Sequence, residues 1–329
     1  MISPCISNSG YFDSPEFLTL SFHISTVIST PVYTFGIYCI LFKTPLQMSS
    51  AKWYLLTLQV WIVLFDFYIS VLTVPLVVIP GLAGVGYGLL QHIGVPLMHQ
   101  TTIAFVMFGS LLVSILAVFE NRFFLICSFR WKTIWERLRN AWLFFHYLLV
   151  VISYESFIFL VPEQTTAKKH VLESLPCLPD YIYNGDFFVF ATELNYSVIL
   201  ILVYIGILLA EAAFFLVSLT RNSLHQRNIS GISQKTHNMN RQFLIALLIQ
   251  IFIPIIMFIV PLFYILACIL IYYYNQAAIN FCMNIFVLHG FVSTTVMIVV
   301  NRPYKDFALS MIRKAKRISH DSRISHFGS

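Results

Sequence analysis

Residues 95–119 read VPLMHQTTIAFVMFGSLLVSILAVF, an uncharged run that ends abruptly at Glu120-Asn121-Arg122. At about 1.5 Å rise per residue, a helix of this length crosses a hydrocarbon core of ~30 Å. Basic residues follow it closely: Arg122, Arg130, Lys132, Arg137 and Arg139. Short loops rich in Lys and Arg stay on the cytoplasmic side of a membrane. The stretch therefore predicts a membrane helix that enters from outside and ends inside, at a basic loop.

The composition of the whole chain is typical of a membrane protein. Only 10% of its residues are charged, 58% are apolar, and the mean hydropathy is +0.80. Soluble domains carry about 25% charged residues. The net charge of +6 lies in short loops between apolar runs, so it predicts no nucleic-acid partner. The lipid bilayer is the predicted surrounding of most of the chain.

Seven apolar runs predict an all-α bundle of seven membrane spans. Their predicted bounds are 17–42, 53–82, 95–119, 141–161, 195–219, 242–267 and 277–300. All of the 20 Lys and Arg residues except Lys168 and Lys169 then fall on one side. This puts the segment 1–16 outside and the basic tail 301–329 in the cytoplasm. Apolar residues at helical spacing over 304–318 predict a short amphipathic helix after span seven.

The sequence argues against an enzyme. No two histidines lie three or four residues apart, no C-x-x-C occurs, and no Walker or Ser-His-Asp pattern can be placed. No metal or cofactor is therefore predicted. A transporter stays open as an alternative, although transporters usually show internal repeats. A ligand-gated channel with seven spans is the other alternative, but its N-terminus inside the cell would contradict the charge distribution. The glycine-rich connection 81–94 is predicted to be a flexible outer turn.

Three carboxylates, Asp66, Glu155 and Glu211, lie inside the predicted spans, and His289 lies inside span seven. A carboxylate at a helix centre costs ~2.5–3.5 kcal/mol, so these side chains are expected to face the bundle interior. Either Asp66 binds a cation or couples spans two and seven, or it packs as a protonated, hydrogen-bonded residue. Glu155 is predicted to lie toward the outer half, where ligands bind, and Glu211 near the inner switch region, and the packing alternative stays open for both. His289 is expected to hydrogen-bond across the core.

Prolines and cysteines add two further predictions. Gln250 and Pro254 predict a kink in span six, and Pro261 a second flexible point. Whether the kink serves activation or is only structural stays open. Cys5 and Cys177 are the two cysteines on the predicted outer side, where an oxidising environment allows a disulfide between them.

Six short strings resemble one family, the nematode serpentine receptors of class H, in the family's order and spacing. They are YFDSPEFL (11–18), FGIYCILFKTP (35–45), FENR (119–122), LPCLP (175–179), HGFVST (289–294) and RPYK (302–305). The resemblance covers about residues 11–310. It implies a chemosensory G-protein-coupled receptor in the cilia of a sensory neuron, which binds a small-molecule ligand and activates a heterotrimeric G protein.

Glu120-Asn121-Arg122 also resembles the acid-polar-arginine motif that ends the third helix of rhodopsin-like receptors, although Asn121 departs from its usual form. This resemblance implies that Arg122 pairs with Glu120 at rest and turns toward a G protein when the sixth helix moves out. The string Arg302-Pro303-Tyr304, at the inner end of span seven, is assigned to the same switch. The alternative is that Arg122 is a membrane-edge arginine held by lipid phosphate.

Overall fold

The chain is mostly helical in the computed structural model. Several short segments and one longer internal segment fall outside the description. The structure describes residues 10–46, 49–159, 161–175, 178–183, 185–192, 196–228, 249, 252–253 and 256–327.

Seven helices in the described part of the chain build the bundle, and an eighth follows it. They are α1 (Pro15–Lys43), α2 (Ser49–Thr73), α3 (Leu97–Ile126), α4 (Lys132–Phe159), α5 (Tyr196–Asn228), α6 (Ile256–Leu270), α7 (Gln276–Val300) and α8 (Arg302–Phe327). By length and composition α1, α2, α3, α5 and α7 can each cross a membrane, and α6 is a shorter apolar helix. This agrees with the predicted seven-helix architecture.

Side-chain caps fix where the first and last helices of the bundle begin. The Ser14 hydroxyl accepts a hydrogen bond from the Phe17 amide at 3.2 Å, and Pro15 follows at the first helical position. Asn275 caps α7 in the same way, since its side-chain oxygen accepts from the Ala278 amide at 3.1 Å. Such caps satisfy amides that have no partner within the helix.

Three helix boundaries differ from the predicted ones. The predicted span 53–82 is too long, because α2 closes with a π-helical turn and Val74 turns into the left-handed region at φ 38° before a proline. A residue before proline is disfavoured in the helical region. The predicted basic loop after span three is largely helical, since α4 begins at Lys132. The helix α8 has 26 residues and is longer than the short helix predicted.

The connection after α2 forms a small antiparallel sheet. Strand β1 (Pro75–Val78) pairs with β2 (Ala83–Gly86), and β2 pairs with β3 (Phe188–Val189) from the α4–α5 connection. Pro75 lies opposite Gly86, and Ala83 opposite Val189. The predicted flexible turn at 81–94 is therefore wrong for the β2 residues. We call this end of the bundle the sheet end, and the opposite end, where α8 begins, the tail end.

Contacts between helices centre on α3, which packs against α2, α4 and α5, while α1 packs against α2 and α7. Two hydrophobic cores follow from this arrangement. The sheet-end core joins the strands to the helices and includes Phe22, Phe65, Leu76, Ile182 and Val189. The tail-end core includes Ile40, Leu55, Phe119, Leu219 and Tyr304.

Candidate functional site

A buried carboxylate at the tail end forms the strongest polar contact of α3. Glu120 is 2% exposed, and its two oxygens accept hydrogen bonds from Trp135 Nε1 and Arg139 Nη2, both at 2.7 Å. Both donors lie on the first turns of α4. We call these three residues the Glu120 cluster. Removing one partner of a buried ion pair costs ~3–5 kcal/mol, so the cluster fixes α4 against α3.

Two further residues hold Arg139 in place. The same Nη2 atom lies within hydrogen-bond distance of Asn121 Oδ1, at 3.1 Å, and of the Tyr54 hydroxyl, at 3.2 Å, so its two hydrogens are shared among three acceptors. The guanidinium also lies 4.4 Å from the ring centroid of Phe124. A cation over an aromatic face gains additional stabilisation when water is excluded. Arg139 thereby connects α2, α3 and α4 at one point.

This geometry corrects the predicted resting pair of Arg122 with Glu120. The pair that forms joins Glu120 to Arg139, with Glu120 and Arg139 side chains 3% and 13% exposed. Residues two positions apart do not face each other on a helix, so Glu120 and Arg122 reach different neighbours. Arg122 is itself buried, at 7% exposure, and interacts electrostatically with Tyr304 of α8.

Tyr304 brings the second predicted switch string to the same end. Its hydroxyl lies 2.7 Å from Thr44 Oγ1, which donates its own hydrogen to the Ile40 carbonyl oxygen, so Tyr304 is the donor. Burial raises the pKa of the Tyr304 phenol, while the Arg122 charge acts in the opposite direction. Arg302 is exposed at the first position of α8, and Pro303 follows it.

Asp66 lies in α2, 2% exposed, and joins it to α1. Its Oδ2 accepts a hydrogen bond from the Tyr33 hydroxyl at 2.7 Å. The predicted coupling of spans two and seven is made by other residues, because Gln59 Nε2 donates to Thr294 Oγ1 at 2.9 Å. Within the described residues, no group of three or more His, Cys, Asp or Glu side chains is placed to hold a metal ion.

Glu211 of α5 lies against a histidine of α4. Its Oε2 is 3.1 Å from His146 Nε2, while His146 Nδ1 lies 3.0 Å from the Trp142 carbonyl oxygen. A carbonyl oxygen only accepts, so Nδ1 carries a hydrogen. His146 Nε2 and Glu211 Oε2 are at ion-pair distance, and they form an ion pair when His146 is protonated.

The remaining predicted residues are placed as follows. His289 is 1% exposed, and its Nδ1 lies 2.6 Å from the Phe286 carbonyl oxygen of its own helix, so the predicted hydrogen bond across the core is wrong for this nitrogen. Pro261 is buried in α6. Glu155 belongs to α4, with its side chain outside the description. Gln250, Pro254, Cys5 and Cys177 lie outside the described residues, so the kink and the disulfide stay predictions.

Sequence reasoning missed the partners that α4 supplies. Trp135, Arg139, Trp142 and His146 recur at spacings of four, three and four, which places them on one face of a helix. That face meets Glu120 on α3 and Glu211 on α5. The spacing of these four residues predicts a helix with one polar and aromatic face. A count of loop charges, in contrast, uses Arg139 only to set the topology.

A membrane bundle of seven helices with buried polar clusters in its middle and at one end defines a serpentine receptor architecture. Residues 13–314 match the family described as "Serpentine type 7TM GPCR chemoreceptor Srh". The chain is also similar to Serpentine receptor class H-72 of Caenorhabditis elegans, at 26% identity over 317 residues that cover 95% of this chain and 90% of that relative. The chain therefore belongs to the Srh family of multi-pass membrane receptors, which confirms the resemblance.

Proposed function

We propose that the chain is a chemosensory receptor in the ciliary membrane of a sensory neuron, where it binds a small molecule through its sheet end and activates a heterotrimeric G protein at its tail end. The sheet end then faces outward and the tail end faces the cytoplasm, as the distribution of Lys and Arg predicts. The observation that carries the proposal is the Glu120 cluster, because it ties α3 to α4 at the end where a G protein would bind.

The Glu120 cluster supports a two-state mechanism. In the resting state Arg139 neutralises the buried Glu120, and Tyr304 of α8 lies near Arg122. A G protein that bound better to a state with these contacts broken would shift the population toward that state. A ligand at the other end would act by the same rule, through its differential affinity for the two states.

The proposal is tested by removing the ion pair. Arg139→Gln deletes the charge that holds Glu120, so the resting state loses stability relative to the active one. A loss of ~1 kcal/mol shifts a two-state equilibrium about fivefold, and we expect basal GDP–GTP exchange on a co-reconstituted G protein to rise about fivefold. The measurement is nucleotide exchange without added ligand.

Two variants make this test specific. Arg137→Gln removes an exposed charge two residues away on the opposite face of α4, and it is expected to leave the basal rate unchanged. The double variant Glu120→Gln with Arg139→Gln leaves no buried unpaired charge, so it separates activation from misfolding. A double variant that folds but exchanges nucleotide at the wild-type rate would contradict the proposed role of the cluster.

Membership of the Srh family argues against the channel and transporter alternatives. The family that the chain belongs to is a family of receptors. No feature of the described residues favours conduction or transport over signalling.

A further inference from the structure

Two phenyl rings contact His289 in the middle of the bundle, and two more phenyl rings pack against those. The centroid of its ring lies 4.4 Å from that of Phe258 on α6 and 6.1 Å from that of Phe65 on α2. Phe108 of α3 contacts both of these phenyl rings, at 5.7 Å from Phe65 and 5.2 Å from Phe258. Phe286 of α7 stacks on Phe258 at 5.8 Å. Four helices thus contribute one phenyl ring each, and we call these four rings with His289 the aromatic cage.

One nitrogen of His289 lacks a partner inside this cage. Its Nδ1 lies against the Phe286 carbonyl oxygen, which only accepts, so Nδ1 carries the hydrogen. In the neutral ring Nε2 is then an acceptor with an open lone pair. The side chain is 1% exposed, and Nε2 has no hydrogen-bond partner among the described residues. Buried polar atoms in folded proteins nearly always have a partner, so this one calls for an explanation.

We propose that the aromatic cage is the ligand site of the receptor and that its ligand is a compact, uncharged, largely aromatic molecule with one hydrogen-bond donor. This inference rests on the proposed function and names the class of cue. The donor bonds to His289 Nε2, and the rings cover the apolar part of the ligand in offset or edge-to-face contacts. The side chains that define the cage are four phenyl rings and one imidazole, with no acidic group among them, so the cage itself favours a neutral ligand over a charged one.

The position of Phe258 links this site to signalling. Phe258 is 7% exposed, and its contacts with His289, Phe108 and Phe286 hold α6 against α3 and α7. The shortest of these contacts joins Phe258 to His289, and we place the ligand there. It therefore displaces α6 from α7, which is a rigid-body change of the kind that couples distant ends of a bundle.

The test compares two probes that differ in a single donor. Indole carries an N–H, and 1-methylindole has the same ring system without that hydrogen. Both are titrated against the purified full-length receptor in lipid nanodiscs, without a G protein. We expect indole to bind about fivefold more tightly, in line with one neutral hydrogen bond. With ¹⁵N-labelled histidine, we also expect indole alone to move one non-protonated ring nitrogen resonance upfield.

Variants assign the effect to the cage. His289→Leu is expected to lower indole affinity about fivefold, to that of 1-methylindole, whereas His289→Gln keeps an acceptor and retains the preference. Phe258→Leu is expected to weaken both probes. Its matched control is Phe263→Leu on the same helix, where the side chain is 67% exposed and both affinities should stay unchanged.

Three outcomes overturn the inference. They are equal affinity of the two probes for the wild type, a preference that survives His289→Leu, and no binding of either probe. If His289→Leu does not fold, the wild-type affinity ratio and the ¹⁵N shift still decide. The binding test contains no G protein, so its failure would not count against the proposed function. The nucleotide-exchange test decides that function separately.

Discussion

At the scale of single residues, Gly290 sets how closely α7 approaches α1 and α2. A Cβ at this position would overlap the Tyr33 hydroxyl and lie 2.9 Å from Ile62 Cγ2. Gly36 has the same role from the other side, since a Cβ there would lie 2.7 Å from Thr294 Cγ2. Small residues let helices pack backbone to backbone in a membrane, where the hydrophobic effect does not drive association. Both glycines belong to strings that carry the family resemblance.

We therefore expect Gly290→Ala to destabilise the bundle. The Tyr33 hydroxyl cannot withdraw without loosening its hydrogen bond to Asp66, so the added methyl group forces the helices apart. Overpacking of this kind costs ~1–3 kcal/mol, measurable as a lower midpoint of thermal unfolding in detergent. Gly206→Ala is the control, because a Cβ there meets nothing within 4 Å. Equal midpoints for the two variants would show that the contact with Tyr33 is not tight.

Sequence reasoning found the buried charges but not their partners, for a physical reason. The free-energy cost of a carboxylate in the membrane depends on its own position in an apolar run. Asp66 and Glu120 could therefore be identified from their own stretches of sequence. Their partners Tyr33 and Arg139 lie on other helices, and neither residue type is unusual at its own position. Which helices meet is decided by packing, and no single stretch of sequence contains that information.

At the scale of elements, the small sheet is the part of the fold that the hydrophobic pattern of the sequence does not predict. β1 is an apolar run of four residues that continues the apolar pattern of α2, and such short runs do not distinguish helix from strand. β2 contains two glycines and reads as a turn. Its partner β3 lies about a hundred residues further on, in another connection. The seven helices were predictable because a long apolar run specifies a membrane helix by itself.

The helix Gln164–Ser174 beside the sheet gives a prediction about pH. Glu163 caps it, since its carboxylate accepts hydrogen bonds from the Thr165 and Thr166 amides at 2.9 and 2.8 Å. Bonds from Thr166, then Thr165, lower the pKa of Glu163 from 4.5 to about 2. A lowered pKa means that the cap is fully present above pH 4.5 and is lost as the pH falls toward 2.

The measurement is hydrogen exchange at the Thr165 and Thr166 amides, corrected for the intrinsic exchange rate. We expect their protection to fall as the pH drops below 4.5 in the wild type, and to be low and independent of pH in Glu163→Ala. Glu173→Ala removes an exposed carboxylate at the other end of this helix and should behave like the wild type. Protection in Glu163→Ala that still follows pH would assign the effect to another group.

At the scale of the whole molecule, orientation is the expectation with the widest consequences. Basic residues cluster at the tail end, which predicts that α8 lies in the cytoplasm. An epitope tag at Met1 is expected to bind antibody on intact cells, and a tag at Ser329 only after permeabilisation. A Met1 tag reached only after permeabilisation would contradict the charge argument. An accessible Ser329 tag would then favour an inverted channel, and a hidden Ser329 tag would favour a transporter with an even number of spans.

The sheet has a mechanical consequence for the whole bundle. Backbone hydrogen bonds between β2 and β3 clamp the α2–α3 connection to the α4–α5 connection, whereas side chains such as those of the Glu120 cluster hold the opposite rim. A helix that is held by backbone hydrogen bonds near one end and by side chains alone at the other can tilt about the end that the backbone holds. A helix of 30 residues such as α3 is about 45 Å long. A tilt of ~5° about the sheet end therefore moves its tail end by ~4 Å, while its sheet end stays almost in place.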